Sequence, residues 1–176
     1  MRVARRHKLL VVEDVAQAVG GGYEGRKLGS FGHAAGFSFN YYKNITCGEG
    51  GAVVTSRKRV AQRARCMIDC CSFYWKGREK GFVPFVANGS RASEIEGAML
   101  NAQLDRLDGM LRATRRQKKR ILRETASTGL RPIKANSLDH ECGTHVMYIL
   151  PTIEQAEEFA RLAGGHIAGK TGRHVY

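Results

Sequence analysis

Apolar residues in the first third of the chain come in short runs separated by glycine-rich segments. Residues 8–12 (KLLVV) are flanked by charged residues and predict a buried, parallel strand. Residues 35–40 (AGFSFN) and 50–55 (GGAVVT) predict a second and a third short strand. Between the first two strands, residues 15–19 predict a short helix that the following glycines stop, and residues 23–30 predict a glycine-punctuated loop or hairpin.

Helical periodicity dominates the second half of the chain. Apolar side chains recur every three to four positions over residues 93–127, which predicts one long helix. Gly109 is a candidate break inside it, and the GLRP sequence at residues 129–132 ends it. Residues 145–150 (HVMYIL) predict a strand, and residues 152–163 predict a helix whose first residue is the N-cap.

The order of these elements indicates the fold class. Short strands come first, then one long helix, then a strand–helix unit, which predicts an α/β protein with a smaller α+β region starting near residue 130. The chain has 176 residues, enough for one ordinary domain, and its 43% of apolar residues allows a sizeable core.

The net charge of +13 raises the question of a nucleic acid or an acidic membrane surface as partner. The basic residues are spread in small groups, however, and no zinc finger, RNP motif or basic zipper accompanies them. The densest group, at residues 115–120, lies in the predicted long helix and is most simply a solvated helix face. We therefore expect neither a nucleic acid nor a membrane as partner.

The five cysteines form no CxxC pair, so neither a disulfide framework nor a standard metal site fits them. They are expected to be reduced, mostly buried thiols of a cytoplasmic protein. No apolar run approaches the roughly 20 residues needed to span a bilayer.

Polar residues that can do chemistry begin directly after the first predicted strand, with the EDVAQ sequence at residues 13–17. Ligands of open α/β sheets bind at the carboxyl ends of the strands. The carboxylate of Asp14 has two interpretations there. It could cap a helix, or it could keep a cationic ring nitrogen protonated, as pyridoxal phosphate (PLP) requires.

A lysine, Lys43, follows the second predicted strand in the sequence SFNYYK and precedes the tight turn GEGG. A lone lysine is usually a solvated surface charge. A lysine that follows apolar and aromatic residues at a strand end can instead be desolvated, which favours its neutral, nucleophilic form. Ser38, five residues earlier, could bond a phosphate oxygen.

The sequence from residue 11 to residue 55, VVEDVAQAVGGGYEGRKLGSFGHAAGFSFNYYKNITCGEGGAVVT, resembles the core signature of the DegT/DnrJ/EryC1/StrS aminotransferases. Members of this family are PLP enzymes of fold type I that aminate keto sugars and work as homodimers. The resemblance implies that residues 1–92 are the C-terminal part of the PLP-binding large domain. Residues 93–129 would be a connecting helix, and residues 130–176 the start of an incomplete small α+β domain.

The same resemblance assigns roles to four residues of the signature. Asp14 would pair with the pyridine nitrogen, Gln17 would lie near the 3-hydroxyl of the ring, and Ser38 would hold the phosphate. Lys43 would hold PLP as a Schiff base and would move the proton during transamination. Lys43 also argues against the dehydratases of the family, which have histidine at this position.

The segment NGSRASE at residues 88–94 resembles a family motif, Asn-x-Arg-x-Ser-Glu, that reaches the phosphate of the other subunit's cofactor. Asn88 and Arg91 would therefore bind the cofactor across a dimer interface. Two residues rather than one separate them here, which leaves the register of Asn88 open. Ser93 is also expected to cap the long helix.

A narrower resemblance concerns the branch that makes 8-amino-3,8-dideoxy-octulosonate, a sugar acid of lipopolysaccharide. Three segments carry it together: CSFYWKGRE, NGSRASEIEGAMLNAQLDRLDGML and the final GKTGRHVY. It implies an 8-keto sugar acid as substrate, glutamate as amino donor, and Arg91, Lys170, Arg173 and His174 as candidates for carboxylate contacts. The last three are equally consistent with a basic loop, and a nucleotide-sugar aminotransferase is the alternative.

Against the family, the chain covers about half of the expected length, without the N-terminal phosphate-binding turn and the aromatic residue that stacks on the ring. Such a fragment would leave apolar sheet edges exposed, so we expect it to bind PLP weakly or to fold poorly on its own. A non-catalytic relative with the same architecture is the second hypothesis.

Overall fold

The structure, a computed structural model, describes residues 1–69 and 81–170. Its helices are α1 (Arg2–Arg6), α2 (Lys58–Ile68), α3 (Glu94–Glu124) and α4 (Ile153–Ala163). Its strands are β1 (Val12–Asp14), β2 (Gly22–Tyr23), β3 (Arg26–Lys27), β4 (Ala34–Ser38), β5 (Gly51–Val54), β6 (Arg131–Pro132) and β7 (Tyr148–Ile149). Short 3-10 turns follow α3 and precede residue 171.

The largest sheet of the described residues has three strands in the order β1-β4-β5. β1 is parallel to β4, as predicted, and β5 returns antiparallel to β4. The prediction that residues 8–12 form a buried strand is wrong in its bounds and its burial. The strand begins only at Val12, and Leu9 and Leu10 before it are 55% and 81% exposed. β1 is an edge strand, and no other described strand covers its outer side.

Residues 15–19 form turns rather than the predicted helix. The N–H of Val15 donates to Gly36 O (2.9 Å), which ties this segment to β4 instead of to a helical ladder. Gly20 follows with φ of +83°, and a side chain there would come within 2.4 Å of Leu111 Cδ1 on α3. Glycine is therefore required at this position by both its backbone conformation and its close contact with the long helix.

The hairpin predicted at residues 23–30 is confirmed as the antiparallel pair β2–β3. The carboxylate of Glu13 organises the chain after this hairpin, because it accepts hydrogen bonds from the N–H groups of Gly29 (2.7 Å), Phe31 (2.7 Å) and Gly32 (2.6 Å). Burial raises the pKa of Glu13, but these hydrogen bonds outweigh it and hold the pKa below its usual value.

The long helix α3 is confirmed, and Gly109 does not break it. Ser93 caps it as predicted. Ser93 Oγ accepts from the N–H of Glu96 (3.2 Å), and the Glu96 carboxylate accepts from the N–H of Ser93 (2.5 Å). This reciprocal pair is a capping box, which satisfies two backbone donors that a helix start leaves without partners.

α3 also ties the parts of the chain together. Leu111 is 2% exposed and lies against Gly20. Arg115 Nε donates to Glu141 O (2.5 Å), and its guanidinium also reaches Gly20 O (3.4 Å). One helical turn of α3 therefore holds both the segment after β1 and the segment before β7.

In the C-terminal region, the sheet is smaller than predicted, whereas the helix is as predicted. The strand expected at residues 145–150 is only β7, which pairs antiparallel with β6. Thr152 Oγ1 accepts from the N–H of Gln155 (3.3 Å) and caps α4. The Tyr148 ring meets the Phe159 ring edge-on, with centroids 5.7 Å apart.

Three of the five cysteines lie in the described ranges, and all three are buried free thiols, as predicted: Cys47, Cys66 and Cys142. Burial raises the pKa of Cys47 and of Cys142, which favours the protonated form of both thiols. The other two fall within residues 70–80, outside the described residues.

Candidate functional site

Asp14 and Ser38 lie on the same face of the three-stranded sheet, at the carboxyl ends of β1 and β4. Asp14 is paired with Gly36 in the parallel ladder, and Ser38 lies two residues further along β4. Side chains alternate between the two faces of a strand, so Asp14, Gly36 and Ser38 share one face and Glu13 lies on the other. Asp14 is exposed and Ser38 is half-buried.

Gly36 leaves an open strip of backbone between Asp14 and Ser38. A Cβ built at Gly36 would meet no heavy atom within 4 Å other than those of its own residue and its two chain neighbours, and the φ of Gly36 is not in the left-handed region. Neither packing within the described chain nor backbone conformation therefore requires glycine here. Glycine in a strand interior often marks a place where a ligand approaches the backbone closely. Val12 and Val53, on the same face, are 72% and 53% exposed and give this opening an apolar border.

The carboxylate of Asp14 has one backbone partner, the N–H of Ala16, at 3.0 Å. It caps a turn rather than the helix that the sequence predicted. No described residue bonds its second oxygen, so that oxygen is available to accept from a cationic N–H. Gln17 is exposed three residues later and makes no side-chain hydrogen bond within residues 1–69 and 81–170.

Lys43 lies in the loop that joins β4 to β5, five residues beyond Ser38. Its N–H donates to Asn40 O (3.0 Å), and its side chain is half-buried. Among the described residues, no carboxylate or carbonyl accepts from its Nζ, whereas Lys118 is paired with Glu141 at 2.7 Å. An amine held near a strand end without an anionic partner can bond covalently to a carbonyl compound.

Two contacts that sequence reasoning missed fix the segment directly after Lys43. Asn44 Nδ2 donates to Val19 O (3.3 Å), in the turn that follows Asp14. Gln103 of α3 bonds both backbone groups of Thr46, with Oε1 at 3.2 Å from Thr46 N and Nε2 at 2.6 Å from Thr46 O. One signal could have revealed Gln103: it is a polar residue at an apolar position of the α3 repeat, between Leu100 and Leu107.

Asn88 and Arg91 do not belong to the cluster formed by Asp14, Ser38 and Lys43. Both are exposed, and Arg91 forms an ion pair with Asp69 (3.3 Å) at the end of α2. Neither makes a hydrogen bond or an ion pair with Asp14, Ser38 or Lys43 in the described structure. Two exposed polar residues so placed are available to a neighbouring molecule.

The substrate residues suggested by the narrower resemblance do not join the cluster either. Lys170 forms an ion pair with Glu157 of α4. Arg173 and His174 lie outside the described residues. The part of the chain with described coordinates holds no group of three or more His, Cys, Asp or Glu side chains that could bind a metal ion. None of its helices is long and apolar enough to cross a bilayer.

The three-stranded sheet carries Asp14 and Ser38 near its strand ends and Lys43 in the loop that follows β4. Comparison with known proteins identifies the family. The family model for the DegT/DnrJ/EryC1/StrS aminotransferase family matches residues 1–164. The chain belongs to this family. The expected fold class, a mixed α/β part of a fold-type I enzyme with a long helix, is thereby confirmed.

Relatives of known name show what the chain is similar to. It is 42% identical over 120 residues to GDP-perosamine synthase of Caulobacter vibrioides. The match covers 66% of this chain and 30% of that protein. It is 33% identical over 153 residues to L-glutamine:2-deoxy-scyllo-inosose aminotransferase of Streptoalloteichus tenebrarius. This match covers 83% of this chain and 36% of that protein. The chain thus spans about a third of the length of these relatives.

Among solved structures, the fold matches an aminotransferase from Psychrobacter cryohalolentis with a TM-score of 0.65 and 29% identity. The match covers 73% of this chain and 34% of that one.

Proposed function

We propose that the protein containing this chain is a PLP-dependent aminotransferase that aminates a keto sugar. The observation that carries the proposal is the half-buried Lys43, which has no partner for its Nζ in the described structure and follows the strand whose open face bears Ser38. Membership in an aminotransferase family supports the same conclusion.

The residues of the open sheet face have the chemistry that PLP needs. PLP, when bound, supplies a protonated ring that stabilises negative charge on a substrate carbon. The second oxygen of Asp14 would accept from the ring N–H and keep its proton in place. Ser38 Oγ would donate to a phosphate oxygen, and Gln17 would lie near the ring hydroxyl. Gly36 would leave room for a flat ring between them.

Lys43 would have two functions at this site. Its Nζ would hold the cofactor covalently while substrate is absent. Once substrate has taken that place, the freed amine would move a proton between the substrate carbon and the cofactor. An amine that is not paired with a carboxylate suits both functions, because an ion pair would favour its charged form.

The substrate we propose is a keto sugar, and a nucleotide-linked one is favoured. The similar protein from Caulobacter is named for GDP-perosamine, and the one from Streptoalloteichus for amino transfer between L-glutamine and 2-deoxy-scyllo-inosose. An 8-keto octulosonate is the second candidate, with glutamate as donor. It depends on Arg91, Lys170, Arg173 and His174, and the pairing of Lys170 with Glu157 does not favour it.

We also propose that the protein works as a homodimer with shared active sites. Asn88 and Arg91 make no hydrogen bond or ion pair with Asp14, Ser38 or Lys43 of their own chain, and both are exposed. A two-fold interface would allow them to reach the phosphate held by the Ser38 of a second copy.

Reductive trapping on the whole protein tests the proposal. Borohydride added after PLP should give a phosphopyridoxyl adduct that peptide mapping places on Lys43. Lys43→Arg should lose this adduct, whereas Lys27→Arg, in the exposed hairpin, should keep it. The wild type should then transfer an amino group from glutamate or glutamine to a nucleotide-linked keto sugar. A whole protein without an adduct on Lys43 would refute the proposed function.

A further inference from the structure

We propose that Gln103 is a positioning residue that holds the loop carrying Lys43 in its working place relative to Asp14 and Ser38. The structural part of this inference stands on the contacts of Gln103. Its consequence for Lys43 rests on the proposed function.

The side-chain amide of Gln103 bonds both backbone groups of one loop residue. Gln103 Oε1 accepts from the N–H of Thr46 (3.2 Å), and Gln103 Nε2 donates to Thr46 O (2.6 Å). The two residues are 57 positions apart in the chain. A primary amide has one acceptor and one donor edge in a plane, so it matches the N–H and C=O of Thr46 together.

Thr46 in turn is hydrogen-bonded to the residue that follows β4. Its Oγ1 donates to Phe39 O (3.0 Å) and accepts from the N–H of Gly48 (2.9 Å). The N–H of Cys47 also donates to Phe39 O (3.0 Å). Phe39 directly follows Ser38, so the contact between Gln103 and Thr46 fixes the loop against the strand that carries the proposed phosphate ligand.

A second contact fixes the same loop against the segment after Asp14. Asn44 Nδ2 donates to Val19 O (3.3 Å), and Ile45, between Asn44 and Thr46, is 1% exposed. The residues after Lys43 are thus held at Asn44, Ile45 and Thr46. Of these contacts, only the one at Thr46 is made by a side chain of α3.

The loss of Gln103 would leave two polar groups of the backbone without partners. Thr46 is half-buried, and we expect its N–H and C=O to regain water partners mainly by opening of the loop. The opening would begin three residues after Lys43 and would displace its Nζ, although no group that touches cofactor or substrate had been removed. A displacement on the order of 1 Å at reacting atoms can reduce a rate by about a hundredfold.

The test uses the whole protein and three variants. Gln103→Leu removes both hydrogen bonds while it keeps the size of the side chain. Gln103→Glu introduces a carboxylate that accepts from Thr46 N–H but cannot donate to Thr46 O unless it is protonated. Gln117→Leu is the matched control, because Gln117 is exposed on the same helix and makes no side-chain hydrogen bond in the described structure.

The first measurement is amide hydrogen exchange of the protein without cofactor. Gln103→Leu should speed exchange at Thr46 and Gly48 by about tenfold or more, while the α3 amides and the control remain close to wild type. This measurement does not depend on any activity. Unchanged exchange at Thr46 would overturn the inference.

The second measurement connects the loop to Lys43. Gln103→Leu should reduce the trapped fraction of Lys43 and lower kcat about tenfold or more, with a smaller change in KM. In Gln103→Glu, both values relative to wild type should rise as the pH falls toward about 5, since a protonated carboxyl restores both hydrogen bonds. If Gln103→Leu showed faster amide exchange but the same Lys43 trapping and kcat as wild type, Gln103 would have only a structural role, and the inference would be overturned. A wild type without a Lys43 adduct would instead refute the proposed function, and the exchange data would still decide whether Gln103 positions the loop.

Discussion

Asp14 and Gly36 are direct partners in the parallel ladder of β1 and β4, and both open onto the same uncovered face of the sheet. The pairing sets a carboxylate beside a position that has no side chain. Apart from Gly36 and its two chain neighbours, the described protein has no heavy atom within 4 Å of where a Cβ at Gly36 would lie. A charged hydrogen-bond acceptor therefore lies beside free space, as a flat, cationic ring would require.

A side chain at position 36 should weaken PLP binding in proportion to its size. Gly36→Ala should bind nearly as well as wild type, and Gly36→Leu about tenfold or more weaker, because the added atoms occupy the space proposed for the ring. Fluorescence titration with PLP measures the affinity. Ala34→Leu, on the same face but nearer the start of β4, is the control. Equal PLP affinity in wild type and Gly36→Leu would contradict the ring placement.

The charge of Asp14 should matter more than its hydrogen bond to Ala16. Asp14→Asn keeps an acceptor for that N–H but cannot hold a ring proton, so kcat should fall by about a hundredfold or more. Steady-state kinetics of the whole protein measure this effect. Asp108→Asn, at an exposed position of α3, should leave kcat unchanged. Asp14→Asn with a wild-type kcat would exclude Asp14 as the ring partner.

Glu13 should stabilise the fold through its three backbone hydrogen bonds. Glu13→Gln replaces an oxygen acceptor with a donor that faces N–H groups, and should lower the free energy of unfolding by about 1–3 kcal/mol. Urea unfolding measures the difference, with Glu24→Gln at the exposed hairpin turn as control.

The effect of Glu13 should also depend on pH. Its pKa is lowered in the folded protein, so the folded state binds its proton less tightly than the unfolded chain does. The stabilisation is therefore fully present above the unfolded pKa and is lost as the pH falls through the folded pKa. The stability difference between wild type and Glu13→Gln should shrink between about pH 6 and pH 3. A difference that grew in acid would show that the carboxylate is not the stabilising species.

The capping box of α3 should contribute measurably to stability. Ser93→Ala removes the acceptor for the N–H of Glu96 and should lower the free energy of unfolding by about 1 kcal/mol. Ser56→Ala is the control, since Ser56 makes no side-chain hydrogen bond among residues 1–69 and 81–170. Thermal melting of both variants measures the change, and equal melting temperatures would mean that the cap adds nothing.

Two inactive variants should restore activity when mixed, if Arg91 acts across a dimer interface. Subunits with Lys43→Ala and subunits with Arg91→Ala would form mixed dimers that contain one intact site. Equal mixing should recover about a quarter of the wild-type activity, because half of the dimers are mixed and each has one working site of two. Lys43→Ala mixed with Asp14→Asn is the control and should stay inactive, because both residues would lie in the same subunit's site and no mixed dimer would contain an intact one. Mixtures of Lys43→Ala and Arg91→Ala that stay inactive would place Arg91 within its own subunit's site or outside the site altogether.

The sequence by itself determined the family, the α/β class and the long helix of this protein. Each of these depends on local patterns: residues 11–55 form one continuous signature, and Ser93, the expected N-cap, fixes the start of α3 within a few positions. The roles proposed for Asp14, Ser38 and Lys43 came from the resemblance to the family, which is carried by the continuous segment that contains all three.

Only the tertiary structure decided how these residues are held. Residues 15–19 form turns because Val15 bonds Gly36 and Gly20 packs on Leu111, and neither partner is near in sequence. The contact of Gln103 with Thr46 likewise depends on where α3 lies against the loop. Periodicity shows which face of a helix turns inward, but not which backbone groups that face will meet, because this depends on the packing of segments that are distant in the chain.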